Sequence, residues 1–249
     1  VLIKVLPQGL QALLGSLPER EVGRMPTTVG IAGLTGKFAQ CVAKALLAYN
    51  DVTIRGYCRN PKKLPQSIIS ESNIDVTRGE YDDRDAARRF VRGSDVVICC
   101  YFGDAELMTE GQKVLIDACE DEGVPRYVAS DFAVDYTKIP VGALFPKESA
   151  RAIKEYLQTK RVKGVHILTG ALMETFWSEY FGLWKPDDVS IAFWGSGNEK
   201  WELTTYATAA AYTAAVSLDE NAIGVLRCEF TFPRTLRKDM NWVDTNSCG

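Results

Sequence analysis

Between Thr27 and Leu168 the chain alternates short apolar runs with stretches whose apolar residues recur every three or four positions. The runs span Thr27–Ala32, Val52–Cys58, Ile74–Thr77, Asp95–Tyr101, Arg126–Ala129 and Val165–Leu168, and they predict strands. Helical spacing falls between them, over Phe38–Tyr49, Asp83–Val91, Gly111–Glu122 and Pro146–Leu157. Strands that are apolar on both faces need cover on both faces, which is the condition of a parallel sheet crossed by helices. The pattern therefore predicts an α/β fold, a Rossmann-type doubly wound parallel sheet, with ligands at the carboxyl ends of its strands. A further strand is predicted over Val225–Phe230, followed by Pro233 and a charged, helix-like piece, Thr235–Trp242.

The first two dozen residues pattern differently. Leu10, Leu13, Leu14 and Leu17 recur at helical spacing, but Pro7 and Pro18 limit the stretch to about two turns. Residues 1–24 read as an artificial or mis-assigned extension, with a docking helix as the alternative. Residues 25–170 are expected to form a dinucleotide-binding domain and residues 171–249 a small, shortened substrate-binding region.

Composition narrows the class without changing it. With 249 residues, 46% of them hydrophobic, the chain can hold a full core without cross-links. A net charge of −3 lacks the basic face that direct nucleic-acid binding requires. No apolar run reaches the 18 or more residues of a membrane span. The seven cysteines are scattered and include no Cys-x-x-Cys pair. They read as core thiols of a reducing compartment, so a cytoplasmic location is expected, without disulfides or a zinc site.

The most informative stretch runs from Val29 to Ala39, Val-Gly-Ile-Ala-Gly-Leu-Thr-Gly-Lys-Phe-Ala. It follows a predicted strand and opens a predicted helix, the context in which spaced glycines bind a pyrophosphate. Two registers fit, Gly30/Gly33/Gly36 and Gly33/Gly36/Ala39. The second leaves the strand intact through Ala32. After the second strand, where an acidic residue would accept the ribose hydroxyls of NAD, the chain reads Cys58-Arg59-Asn60-Pro61-Lys62-Lys63. Cations there suit a dianionic 2′-phosphate and point to NADP(H); a solvated basic loop is the plainer alternative.

These features are joined by Gly79-Glu80-Tyr81-Asp82, by Arg126-Tyr127-Val128-Ala129-Ser130-Asp131-Phe132 and by Trp201-Glu202-Leu203-Thr204-Thr205. Together they resemble the atypical short-chain dehydrogenases/reductases, specifically the NmrA-like and isoflavone reductase-like proteins, from about Thr27 to Arg227. The resemblance implies an NADP-binding domain with a small substrate region. Its members include reductases of small aromatic or natural-product substrates and non-catalytic NADP sensors that act on protein partners. It places the cofactor against Gly33, Thr35, Gly36, Lys37 and Phe38, against Arg59 and Lys63, and against Tyr101, Ser130 and Lys147.

Many relatives carry Tyr-x-x-x-Lys as the proton-transfer pair. A literal match stands at Tyr156 and Lys160, but it falls at the exit of the predicted helix, away from the cofactor. Lys147 lies near that helix's start, and the position four residues before it is Ala143. The chain keeps the lysine and lacks the tyrosine. The isoflavone reductase-like pattern then implies Lys147 as general acid/base, its pKa lowered by partial desolvation. An exposed first-turn lysine is the alternative. Ser130 is expected to bond substrate or cofactor, or only to cap the strand. His166, the single histidine, reads as a satisfied structural residue of an apolar strand, and no metal site is arguable.

Residues 176–206 hold four of the five tryptophans. Such a stretch supplies flat apolar walls for an aromatic substrate, a second small core being the equal alternative. The expected substrate contacts are Phe132, Met173, Phe176, Trp177 and Tyr180. Two functions stand at this point: an NADP(H)-dependent reductase or redox-neutral isomerase, and a non-catalytic NADP sensor with a protein partner. Retained Lys147 favours the first. The absent tyrosine and the early end of the chain favour the second.

Overall fold

The structure is a computed structural model, and it describes residues 26–178, 182–185, 187, 189–191 and 203–227. Seven strands form one parallel sheet. Its first half runs β1 (Thr27–Ala32), α1 (Lys37–Leu47), β2 (Val52–Cys58), α2 (Gln66–Ile69), β3 (Ile74–Arg78), α3 (Arg84–Val91) and β4 (Val96–Cys99). There follow α4 (Gln112–Asp121), β5 (Arg126–Val128), α5 (Glu148–Gln158) and β6 (Lys163–Leu168). The chain then makes β7 (Ala171–Leu172), α6 (Met173–Phe176), β8 (Trp184–Lys185), β9 (Ser190–Ile191) and β10 (Leu203–Thr204), small pieces outside the main sheet. It closes with α7 (Tyr206–Leu218) and β11 (Gly224–Arg227).

The strand order is β11-β6-β5-β4-β1-β2-β3. The order reverses between β1 and β4, so the connections leave in opposite directions there and open a crevice at the carboxyl edge. The expected Rossmann-type architecture is thus the observed one.

Each strand serves two cores because successive side chains point to opposite faces. Val96 and Ile98 join one cluster with Val29, Ile31, Val42 and Leu46, while Val97 and Cys99 join the other with Phe90, Leu115 and Ile153. Helix α7 completes the first face through Ala210, Ala214 and Val216, packed against α1. This helix was not among those predicted. Its run Tyr-Ala-Thr-Ala-Ala-Ala-Tyr-Thr-Ala-Ala-Val-Ser-Leu has no charged stripe to reveal a period, yet alanine favours helix strongly. Thr205 caps its start through Thr208 N–H. Buried Arg126 closes its other end, donating to the carbonyls of Val216, Ser217 and Asp219. A cation there complements the helix dipole and satisfies orphan acceptors.

The cysteines within the described residues are free thiols: Cys58, Cys99 and Cys119 are buried, Cys41 and Cys100 half-buried. Burial pushes Cys99 up to about 12, so it packs as a small apolar group. Cys228 and Cys248 lie outside the described residues, as do residues 1–24 and 235–242. Among the described residues no cluster of His, Cys, Asp and Glu could hold a metal ion, and no helix is long and apolar enough to cross a membrane.

Strand β11 is tied to the loop after β5 through Arg227, whose Nε donates to Asp135 Oδ2 at 2.8 Å. Burial pushes the Asp135 carboxyl up, but donors from Thr137, Arg227 and Lys138 outweigh it and hold its pKa down to about 2. A depressed carboxylate stabilises the fold above its unfolded value of about 3.9, and that contribution is lost as pH falls through the folded value. Urea unfolding of Asp135→Asn should therefore show a shallower loss of stability between about pH 4 and 2 than the parent does. Identical slopes would contradict this pairing.

Candidate functional site

At the crevice, β1 ends in a turn that only glycine accommodates. Gly33 has φ +79°, and a Cβ there would stand 2.9 Å from the Cys100 carbonyl oxygen. The Gly33 and Leu34 N–H groups both donate to Tyr57 O, anchoring the turn on β2. Gly36 is the N-cap of α1 and offers no side chain to the helix's first N–H groups. Those donors, with the helix dipole behind them, form a cradle suited to a pyrophosphate. Thr35 is half-buried, its carbonyl accepting from Gln40 Nε2. Lys37 is exposed at the first helical position, and half-buried Phe38 turns inward to meet Phe132 at 4.6 Å between centroids.

The strand β2 delivers Arg59 to the same edge, followed by Lys62 and Lys63, all three exposed. None of the three forms an ion pair among the described residues. Asn60 Oδ1 accepts from Lys62 N and starts the tight turn over Pro61–Lys63 that gathers the cations. The glycine turn, the uncapped helix and these free cations fit a phosphorylated dinucleotide.

Beyond the switch point, Tyr101 leaves β4 and Ser130 leaves β5. Ser130 Oγ donates to Tyr101 O at 2.6 Å, and Ser130 N donates to Gln112 Oε1 at 3.0 Å. The serine is thereby pinned between two elements. Next comes Asp131, almost wholly buried, and then Phe132 with φ +30°, an uncommon backbone for a non-glycine residue. Lys147 is the N-cap of α5 and reaches back so that Nζ stands 3.5 Å from the Asp131 carbonyl oxygen. Burial lowers the Lys147 pKa from its ordinary 10.5, and the nearby Asp131 charge opposes that shift.

Tyr156 and Lys160 stand elsewhere. Tyr156 OH donates to Asp117 Oδ1 at 2.6 Å, Lys160 Nζ to the same oxygen at 2.7 Å, and the ammonium lies 4.5 Å from the tyrosine ring. The pair is spent in tying α5 to α4. Met173, half-buried, opens α6, and Phe176 meets Trp177 edge-on at 5.2 Å. Tyr180 lies outside the described residues. A groove of about 380 Å³ lined by Pro26, Asp95, Arg126 and Lys163 opens at the opposite, amino-terminal edge of the sheet and has no part in this site.

With this geometry in place, a family profile described as NAD(P)H-binding matches residues 33–173. The chain belongs to this family. The oxidoreductase aprR of Aspergillus flavus is 28% identical to this NAD(P)H-binding chain over 162 residues, which are 63% of the chain and 52% of aprR. The isoflavone reductase of Glycine max is 25% identical over 175 residues, 66% of the chain and 53% of that protein. The chain spans about half the length of the curated relatives it matches. A solved structure of AtPrR2 with NADP+ and (+)-pinoresinol has the same fold, with TM-score 0.68, 18% identity, and coverage of 82% of this chain and 70% of that one. The NmrA-like and isoflavone reductase-like resemblance read from the sequence agrees with these matches, and the expected NADP(H) lies within the cofactor class of the family.

Two residues of the site escaped the sequence reading. Asp131 stood in the quoted motif, but its partner His166 is distant in sequence. Tyr206 stood among the aromatic residues, and it links two groups: its ring meets Phe38 at 5.7 Å, and its hydroxyl bonds Thr175 Oγ1 at 2.9 Å. Tyr156→Phe should lower stability by about 1 kcal/mol through its lost hydrogen bond, while NADPH affinity in a fluorescence titration stays at the parent value. A loss of affinity would place this pair at the cofactor instead.

Proposed function

We propose that this chain carries the cofactor and proton-transfer site of an NADP(H)-dependent reductase whose substrate is an aromatic or natural-product-like small molecule, with redox-neutral isomerisation open to the same site. The observation that carries the reading is Lys147: an amine withdrawn from water at the carboxyl edge, facing a carbonyl rather than a carboxylate at 3.5 Å. A lysine in that setting can donate a proton to a substrate oxygen. When bound, NADPH supplies the hydride. Gly33, Thr35, Gly36, Lys37 and Phe38 receive the pyrophosphate, Arg59 and Lys63 the 2′-phosphate, and Tyr101, Ser130 and Lys147 the nicotinamide end. Phe132, Met173, Phe176 and Trp177 offer apolar surface to the substrate, and the pinoresinol in the AtPrR2 structure supports an aromatic one.

Arg59→Ala should weaken NADPH binding about 10- to 100-fold, the loss of one charged hydrogen-bond donor, with NADH affinity nearly unchanged. Equal losses for both cofactors would remove the 2′-phosphate from this loop. The activity is tested by NADPH oxidation on a panel of aromatic ketones, quinones and enones, with product analysis that also detects isomerisation. Lys147→Ala should lower turnover about 10²- to 10⁴-fold, as loss of a general acid does, and change NADPH affinity far less. Turnover in the parent should decline on the alkaline side, below the 10.5 of an ordinary lysine. Full cofactor binding with no turnover on any substrate would favour the non-catalytic sensor and its protein partner.

A further inference from the structure

Beneath Lys147 lies a polar group that the proposed chemistry does not use. His166 Nδ1 and Asp131 Oδ2 are 2.7 Å apart, and their side chains are 4% and 1% exposed. Tyr136 OH donates to the same carboxylate oxygen at 3.4 Å. A carboxylate is stable in a buried place only where donors meet it; here an imidazole N–H and a phenol supply them. Neither donor is needed to hold a strand end, since β5 and β6 already pair through their backbones.

We propose that Asp131 and His166 are positioning residues for Lys147: the imidazole anchors the Asp131 carboxylate, and the anchored residue presents its carbonyl oxygen and its negative charge to the lysine ammonium. The inference rests on the reading of Lys147 as the proton-transfer group. Three features make the arrangement directional. Asp131 N donates to Ala129 O, fixing the residue before the turn. Phe132, with its positive φ, swings the chain away immediately after Asp131 and seats its ring on Phe38. Arg151, one helical turn beyond Lys147, donates to the carbonyls of Tyr136 and Ile139 and lies 5.6 Å over the Tyr136 ring. Arg151 thus ties α5 to the Tyr136 loop, and Tyr136 shares its acceptor, the Asp131 carboxylate, with His166.

Among the described residues, the charged and titratable groups around this centre are few. Asp131 faces Lys147, His166 and Tyr136; Tyr136 in turn faces Arg151 and Asp135, and Glu148 pairs with Arg151 at 3.5 Å. Cys99 also senses the Asp131 charge from β4. Of these, only the Asp131 carboxylate offsets the desolvation of Lys147.

The test needs no substrate, which separates it from a failure of the reductase reading. His166 is the only histidine in the chain, so a ¹⁵N-histidine label reports one imidazole without ambiguity. In the parent, a ¹³C-lysine titration assigned with Lys147→Arg should give Lys147 a midpoint below that of ordinary lysines. The His166 resonance should inflect at the same pH. In Asp131→Asn, which keeps an acceptor but removes the charge, the Lys147 midpoint should fall by about one further unit, a tenfold change in its protonation equilibrium. His166→Asn, whose amide can donate as the ring N–H does, should keep the parent midpoint, whereas His166→Leu should not. A flat His166 signal through the Lys147 titration overturns the proposal, whether or not the variants fold. So does an unmoved midpoint in a folded Asp131→Asn. Coupling observed together with undiminished turnover in Lys147→Ala would leave the positioning intact and remove Lys147 from the proton-transfer step.

Discussion

A carboxylate buried between two parallel strands is the constraint around which the functional edge is arranged. Asp131 sits where β5 ends, nearly inaccessible to water, and an ion in that place persists only with donors at hand. His166 arrives from β6 and Tyr136 from the loop beyond β5, so the neighbouring strand and the connection to α5 are both committed to one oxygen. The lysine at the head of α5 inherits its position from that commitment. Packing alone would leave a long, flexible side chain many rotamers.

The sheet supplies the other half. Because the strands are parallel and in register, their carboxyl ends arrive at one level, and each adds a residue to the same crevice. The glycine turn after β1, the cations after β2, Tyr101 after β4 and Ser130 after β5 are consecutive along that edge. Phe38 and Phe132 connect its two sides, and Tyr206 brings in the α6 region through Thr175. A dinucleotide laid across the switch point would span this line from the free cations to the desolvated lysine.

What the sequence disclosed follows the range over which its patterns act. A strand such as Val96–Cys99, within the run Asp95–Tyr101, was legible because a strand buried on both faces is apolar throughout. The glycine turn was legible because its whole mechanism lies within a few consecutive residues. Helix Tyr206–Leu218 was not, since a helix of small residues packed against α1 shows no polar stripe. Tyr156 and Lys160 illustrate the opposite hazard. Their spacing is visible locally, but the partner that occupies them, Asp117, is 39 residues from Tyr156. The role of Asp131 was hidden for the same reason, its imidazole partner being 35 residues away.

The proposed place of the chemistry is the desolvated amine of Lys147. It is tested most directly by a crystal structure of the chain with NADP+ bound. The nicotinamide ring should lie at the β4–β5 end of the crevice, with the Lys147 ammonium beside it and the 2′-phosphate against Arg59. A nicotinamide seated away from Lys147, with the Tyr156 hydroxyl nearer to the ring, would contradict it.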